Sequence, residues 1–140
     1  EETAHAFDGF RSLYTGVDLS GWEGKGWQSN DWRLNGAKAE ARLKCREKFA
    51  SYSFFADWRS KEKALPFNLP NVGELGALDH QVGKWNRIKV TRVLGSTTVE
   101  INGKSVLLEM GREDGPLKSA VLELLPGAEF ANIFVKQLSP

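Results

Sequence analysis

Two carboxylates, Glu74 and Asp79, lie in a glycine-rich stretch that runs into His80, and together these side chains offer the groups that acid–base chemistry needs. Asp57 and Arg59 stand two apart in Tyr52-Ser53-Phe54-Phe55-Ala56-Asp57-Trp58-Arg59, and a period of two puts both on one face of a strand. Such a pair can orient a hydroxylated substrate; it is also the pattern of a solvated surface ion pair. Glu74 and Asp79 carry a similar double reading, because acidic residues also shape turns. The 5 tryptophans add a further possibility. An exposed indole face stacks on the C–H face of a pyranose, whereas a buried one is ordinary core. Trp27, between Gly26 and Gln28 in a glycine-rich loop, is the expected sugar platform. Trp22 and Trp85 are expected in the core, and Asn86, at the start of a strand, is expected to satisfy backbone groups.

Composition limits what such residues can serve. A chain of 140 residues is long enough to bury a core without metal or disulfide staples. One domain over 9–140 behind a flexible tail, 1–8, is the expectation. The 19 basic and 18 acidic side chains give a net charge of +1, with no basic footprint for nucleic acid. No run approaches the roughly 18 apolar residues that span a bilayer. Cys45 is the single cysteine, which excludes an intrachain disulfide and a cysteine-built zinc site. It reads as a small buried hydrophobe. His80 has no second histidine at ligand spacing, since His5 falls in the tail. No metal site is therefore assigned.

The elements that must position these groups read as β structure. In Asn86 to Val93, Ile88, Val90 and Arg92 share one face and Arg87, Lys89 and Thr91 the other. Thr98 to Ile101 alternates again, and Asn102-Gly103 is a strong hairpin signal because both residues tolerate positive φ. Lys104 to Glu109 is the return strand. A last pair, Ala120 to Leu125 and Glu129 to Leu138, is separated by Pro126-Gly127. In the final strand Phe130, Phe134 and Leu138 are expected on one face and Ala131, Ile133 and Val135 on the other, as in a central strand covered on both sides. Ala37 to Phe49 is rich in helix formers. We read it as strand nonetheless, because Glu40, Arg42 and Lys44 alternate with Ala41, Leu43 and Cys45. Many short strands and tight turns give an all-β, two-sheet antiparallel sandwich.

Several stretches carry a family pattern. Gly9-Phe10-Arg11-Ser12-Leu13-Tyr14-Thr15-Gly16-Val17-Asp18-Leu19-Ser20-Gly21-Trp22 is followed by Trp32-Arg33-Leu34-Asn35-Gly36, by the aromatic strand ending in Trp58-Arg59, by Gly83-Lys84-Trp85-Asn86, and by Glu129-Phe130-Ala131-Asn132-Ile133. In this order they resemble the 3-keto-disaccharide hydrolase domain family over nearly the whole chain. The resemblance implies a concanavalin A-like jelly roll, with an oligosaccharide or glycoside on its concave face. It implies cleavage of 3-keto-glycosides, in which a base removes the acidified C2 proton and an electrophile steadies the enolate. Glu74 is then the candidate base and Asp79 its catalytic partner. Arg59, Asp57, Trp27 and His80 would bind substrate, and Asp79, His80 and Arg59 could hold a divalent metal. No other cofactor is expected. Export from a bacterial cell, to the periplasm or beyond, is a further implication, and the opening Glu1-Glu2-Thr3-Ala4 suits a processed chain or a trimmed one.

The stretch from Val72 to Gly83 departs from that pattern. The family's Asn-Ser-Gly and following Arg are missing, Gly76 stands at the Gln position, and only His80, Gln81 and Val82 separate Asp79 from Gly83. A loop that would wall a pocket is nearly gone. The alternative is a non-catalytic carbohydrate-binding module, or a sandwich that binds a partner domain or protein.

Overall fold

A computed structural model describes residues 10–13, 22–30, 33–49, 51–70, 72–93, 96–106 and 120–138, with 11, 30, 73, 74 and 120 placed by backbone alone. The expected tail, most of the opening glycine-rich motif, Trp32 and the end of the strand after Asn102-Gly103 lie outside the described residues. In chain order the strands are β1 (Arg11–Ser12), β2 (Trp22–Glu23), β3 (Gln28–Asn30), β4 (Arg33–Asn35), β5 (Leu43–Phe49), β6 (Tyr52–Ser60), β7 (Phe67–Leu69), β8 (Gly73–Glu74), β9 (Asn86–Val93), β10 (Ser96–Ile101), β11 (Lys104–Val106), β12 (Ala120–Leu124) and β13 (Ala128–Gln137). Among the described residues they form two antiparallel sheets. The larger runs β11-β10-β9-β6-β13-β4-β3, with β1 added to β13, and the smaller runs β2-β5-β12-β7-β8. This is the expected all-β, two-sheet antiparallel sandwich.

The alternation seen in the sequence sets which side chains meet between the sheets. Tyr52, Phe54, Ala56 and Trp58 of β6 point inward and are buried. Ile88 and Val90 of β9 do the same, and Arg92 follows them inward to donate to Thr97 Oγ1 at 2.6 Å. Phe67 of β7 reaches across from the smaller sheet and meets Phe54, Trp58 and Phe130 edge-on, with centroids 6.0, 5.5 and 5.4 Å away. Such edge contacts add to the burial of aromatic area. Cys45 is buried, as expected.

Two local expectations change. From Ala37 to Phe49 the structure has no helix, in line with the strand reading, but the strand begins only at Leu43, with Leu43 and Cys45 buried and Lys44 exposed between them. In β13 the simple alternation fails. Asn132 adopts φ 51, and the pairing with β6 slips between Ala131 and Phe134. The extra residue of this bulge moves Ile133 and Val135 to the inner face with Phe130. Phe134 turns outward instead, stacked on Phe55 at 5.2 Å.

Candidate functional site

Strand register assembles the outer face of the larger sheet from residues far apart in sequence. Glu129 of β13 lies opposite Arg59 of β6 on one side and Asn35 of β4 on the other, and Asn35 lies opposite Gln28 of β3. Asn86 of β9 faces Trp58, so Trp85 arrives beside Arg59. The Arg59 guanidinium carbon sits 5.0 Å from the Trp85 ring centre. Arg59 Nη2 donates to Glu129 Oε1 at 2.7 Å, and Arg33 Nη1 approaches the other carboxylate oxygen at 3.8 Å. Beside this row, at the strand ends, opens a groove of about 600 Å³ lined by Ala37, Arg59, Ser60, Lys61, Glu62, Gly83 and the Gly127-to-Glu129 segment. Its rim is tied by backbone bonds from Gly36 N to Ala128 O (2.8 Å), Gly127 N to Gly36 O (2.7 Å) and Gly83 N to Ser60 O (2.7 Å).

Trp85 is 37% exposed, which corrects its expected place in the core. The short loop before it explains why. Asn86 is buried, and its side chain spans the loop: Nδ2 donates to Gln81 O and Lys84 O, and Oδ1 accepts from Gln81 N, each at 2.8 Å. Asn86 satisfies backbone, as expected, and in doing so it holds the loop that displays Trp85 and Val82. Trp27 makes the reverse correction. It is 7% exposed, donates Nε1–H to Ala41 O at 2.7 Å and lies 5.8 Å from the Phe130 ring. Gly36 lets the chain close over it, since a Cβ there would come within 2.5 Å of the indole. Trp22 is core, as expected.

The remaining expected site residues fall into separate places. Asp57 lies next to the row just described, on the same outer face, and takes a bidentate bond from Arg87 at 2.7 and 3.0 Å and one from Asn132 Nδ2 at 2.8 Å. Hydrogen bonding to Asp57 raises the Arg87 pKa; burial works against it and the Asp57 charge adds to it. Asp57 and Arg59 thus share a face but pair with other strands. His80 Nδ1 donates to Leu78 O at 2.6 Å and the ring packs 5.4 Å from Trp58, so it fixes its own loop. Asp79 is exposed beside it, on a smaller depression of about 260 Å³ lined also by Lys63 and Val82. Glu74 belongs to the other sheet, where register sets its position opposite Asn68. Asn68 in turn faces Glu123, and Glu123 faces Lys44. Register therefore places Glu74 on a different sheet from Arg59 and Asp57. Among the described residues, no three His, Cys, Asp or Glu side chains group as metal ligands do.

No protein-family profile and no curated protein matches this sequence. Solved structures do. A candidate glycosyl hydrolase from Parabacteroides distasonis superposes with a TM-score of 0.71 at 15% identity, covering 99% of this chain and 98% of its own. A second from the same organism gives 0.67 at 13% identity, covering 92% and 99%. The carbohydrate-binding module CBM66 from Bacillus subtilis gives 0.55 at 9% identity, covering 86% and 98%. At these identities the likeness is one of fold.

Proposed function

We propose that this chain is a carbohydrate-binding domain whose ligand lies in the groove beside Arg59, Glu129 and Trp85. The observation that carries this reading is the exposed Trp85 indole, backed by Arg59 and held by the Asn86 clamp at the edge of the groove. An indole with one face on a guanidinium has its other face for the C–H side of a sugar, while Glu129 and Arg59 supply an acceptor and donors for hydroxyl groups. The structural neighbours named as glycosyl hydrolases and as a carbohydrate-binding module support the same class. Intrinsic fluorescence titrated with oligosaccharides tests it. Saturable changes are expected in the wild type and lost in Trp85→Ala, with unchanged circular dichroism in both. A titration flat at millimolar sugar for every oligosaccharide tried would remove the proposal.

The ordered motifs from Phe10 to Leu138 favour a second reading, hydrolysis of 3-keto-glycosides in the manner of the 3-keto-disaccharide hydrolase family. Glu74 is then the base, with Asp79 beside it, and Arg59, Asp57 and His80 orient substrate. Incubation with 3-keto-trehalose, with and without a divalent metal, should release free sugar from the wild type and not from Glu74→Gln. Untouched substrate under both conditions rejects this reading and leaves the first standing. Export from a bacterial cell belongs to either proposal and rests on the resemblance alone.

A further inference from the structure

We infer that the outer face of the larger sheet, along the row that borders this groove, takes an extended stretch of an uncharged oligosaccharide laid across the strands, and not a single terminal sugar. The inference rests on the carbohydrate-binding reading above and names the class and length of its ligand. Its basis is the unbroken row Gln28, Asn35, Glu129, Arg59 and Trp85, contributed by β3, β4, β13, β6 and the residue preceding β9. Residues directly opposite one another in antiparallel strands share a face, so the row presents its side chains to one side of the sheet. Four interstrand gaps make it roughly 19 Å long. A pyranose repeat is about as long as one such gap, so each strand offers one side chain per sugar and the row spans about four units.

The row reads amide, amide, carboxylate, guanidinium, indole. The Gln28 amide can both donate to and accept from hydroxyl groups, Asn35 keeps its Nδ2 donors while its Oδ1 accepts from Ala37 N at 2.9 Å, the Glu129–Arg59 pair supplies the two functions side by side, and Trp85 ends the row with an apolar face. Charge points to a neutral ligand. The ionisable groups lining the groove are Arg59, Lys61, Glu62 and Glu129, two of each sign, and with Arg33 beside Glu129 the row and groove stay within one charge of balance. At the far end β3 is the last strand in the sheet order among the described residues, and Gln28 is exposed there. The tied turns at 36–37, 60–62, 83 and 127 border the row on one long side.

Calorimetric titration with β-1,4-linked gluco- and xylo-oligosaccharides from mono- to hexasaccharide tests this, with an oligogalacturonate series as the charged arm. Affinity should rise roughly tenfold or more from disaccharide to tetrasaccharide and then level off. Trp85→Ala should weaken binding at every length. Gln28→Ala, an exposed edge substitution, should weaken the tetrasaccharide severalfold more than the disaccharide, with an unchanged melting temperature. Equal affinity for di- and tetrasaccharide, or a Gln28→Ala effect independent of length, overturns the extended footprint while sugar binding stands. Tighter, salt-sensitive binding of the oligogalacturonates overturns the uncharged character. No binding of any member of the three series removes the carbohydrate-binding reading itself.

Discussion

Glu123 shows how one side chain on the outer face of the smaller sheet answers to its neighbours. It is 13% exposed and accepts from Asn68 Nδ2 at 2.6 Å and Arg42 Nη1 at 3.2 Å, with Lys44 Nζ 3.8 Å away. Burial pushes its carboxyl up, but the bonds from Asn68 and Arg42 and the charges of Arg42 and Lys44 outweigh that and hold it below its usual range. A carboxyl depressed in the folded state stabilises the fold above its unfolded pKa, about 4.3, and that contribution is lost as pH falls through the folded value. Glu123→Gln should therefore lower stability at pH 7 and lower it much less at pH 3, measured by urea unfolding. An equal loss at both would show that the charge of Glu123 contributes nothing. Residue-level chemistry of this kind is hard to read in the sequence, because Arg42, Asn68 and Glu123 meet only through strand pairing. Arg59 was a candidate from the sequence, but its pairing with Glu129 escaped sequence reasoning for the same reason; nothing local marks Glu129 as the partner of a residue 70 positions away. Trp85 carried a signal that was open to reading, a tryptophan following Gly83-Lys84 just before a strand, where a short loop leaves an indole at the surface.

At the scale of elements, the hairpin between β10 and β11 was legible to the residue. Asn102 and Gly103 take φ 52 and 83, the pattern of a type I′ turn. Asn102 also accepts from Arg87 N at 2.8 Å and donates to Asn86 Oδ1 at 2.9 Å. Asn102→Ala should cost about 1–2 kcal/mol from the left-handed backbone alone, and more once the bonds are lost. Asn102→Gly removes the strain and keeps only the loss of bonds, so chemical denaturation of the pair separates the two effects; equal destabilisation would mean that backbone strain is negligible. The strands β6 and β9 were legible because their alternation runs without interruption. β13 was legible as a strand but not in its second half, since the bulge at Asn132 adds a residue that no period of two anticipates. Ala37 to Phe49 shows the reverse case: helix propensity is present, yet pairing of β5 with β2 and β12 decides the outcome.

At the scale of the whole molecule, aromatic contacts between the two sheets converge on Phe67, which has no exposed surface. Phe67→Ala should cost about 3–5 kcal/mol, because the three rings around it cannot all follow into the space it leaves. Phe67→Leu should cost less, and the difference in melting temperature between the two is the check. A loss below about 1 kcal/mol for Ala would mean that the sheets repack freely. Fold class was open to sequence reasoning because it depends on the count and alternation of strands. Placement of the groove was not, because it depends on which strands lie side by side. Glu74 and Arg59 stand on strands close in sequence, with only β7 between them, yet strand order assigns them to different sheets.

The shared oxygen of Asn86 has a practical side. It accepts from Gln81 of the loop that carries Trp85 and from Asn102 of the β10–β11 hairpin, so two connections that are separate along the chain form one unit in space. Grafting a different 81–85 segment must therefore transplant Asn86 and the Asn102-Gly103 tip along with it.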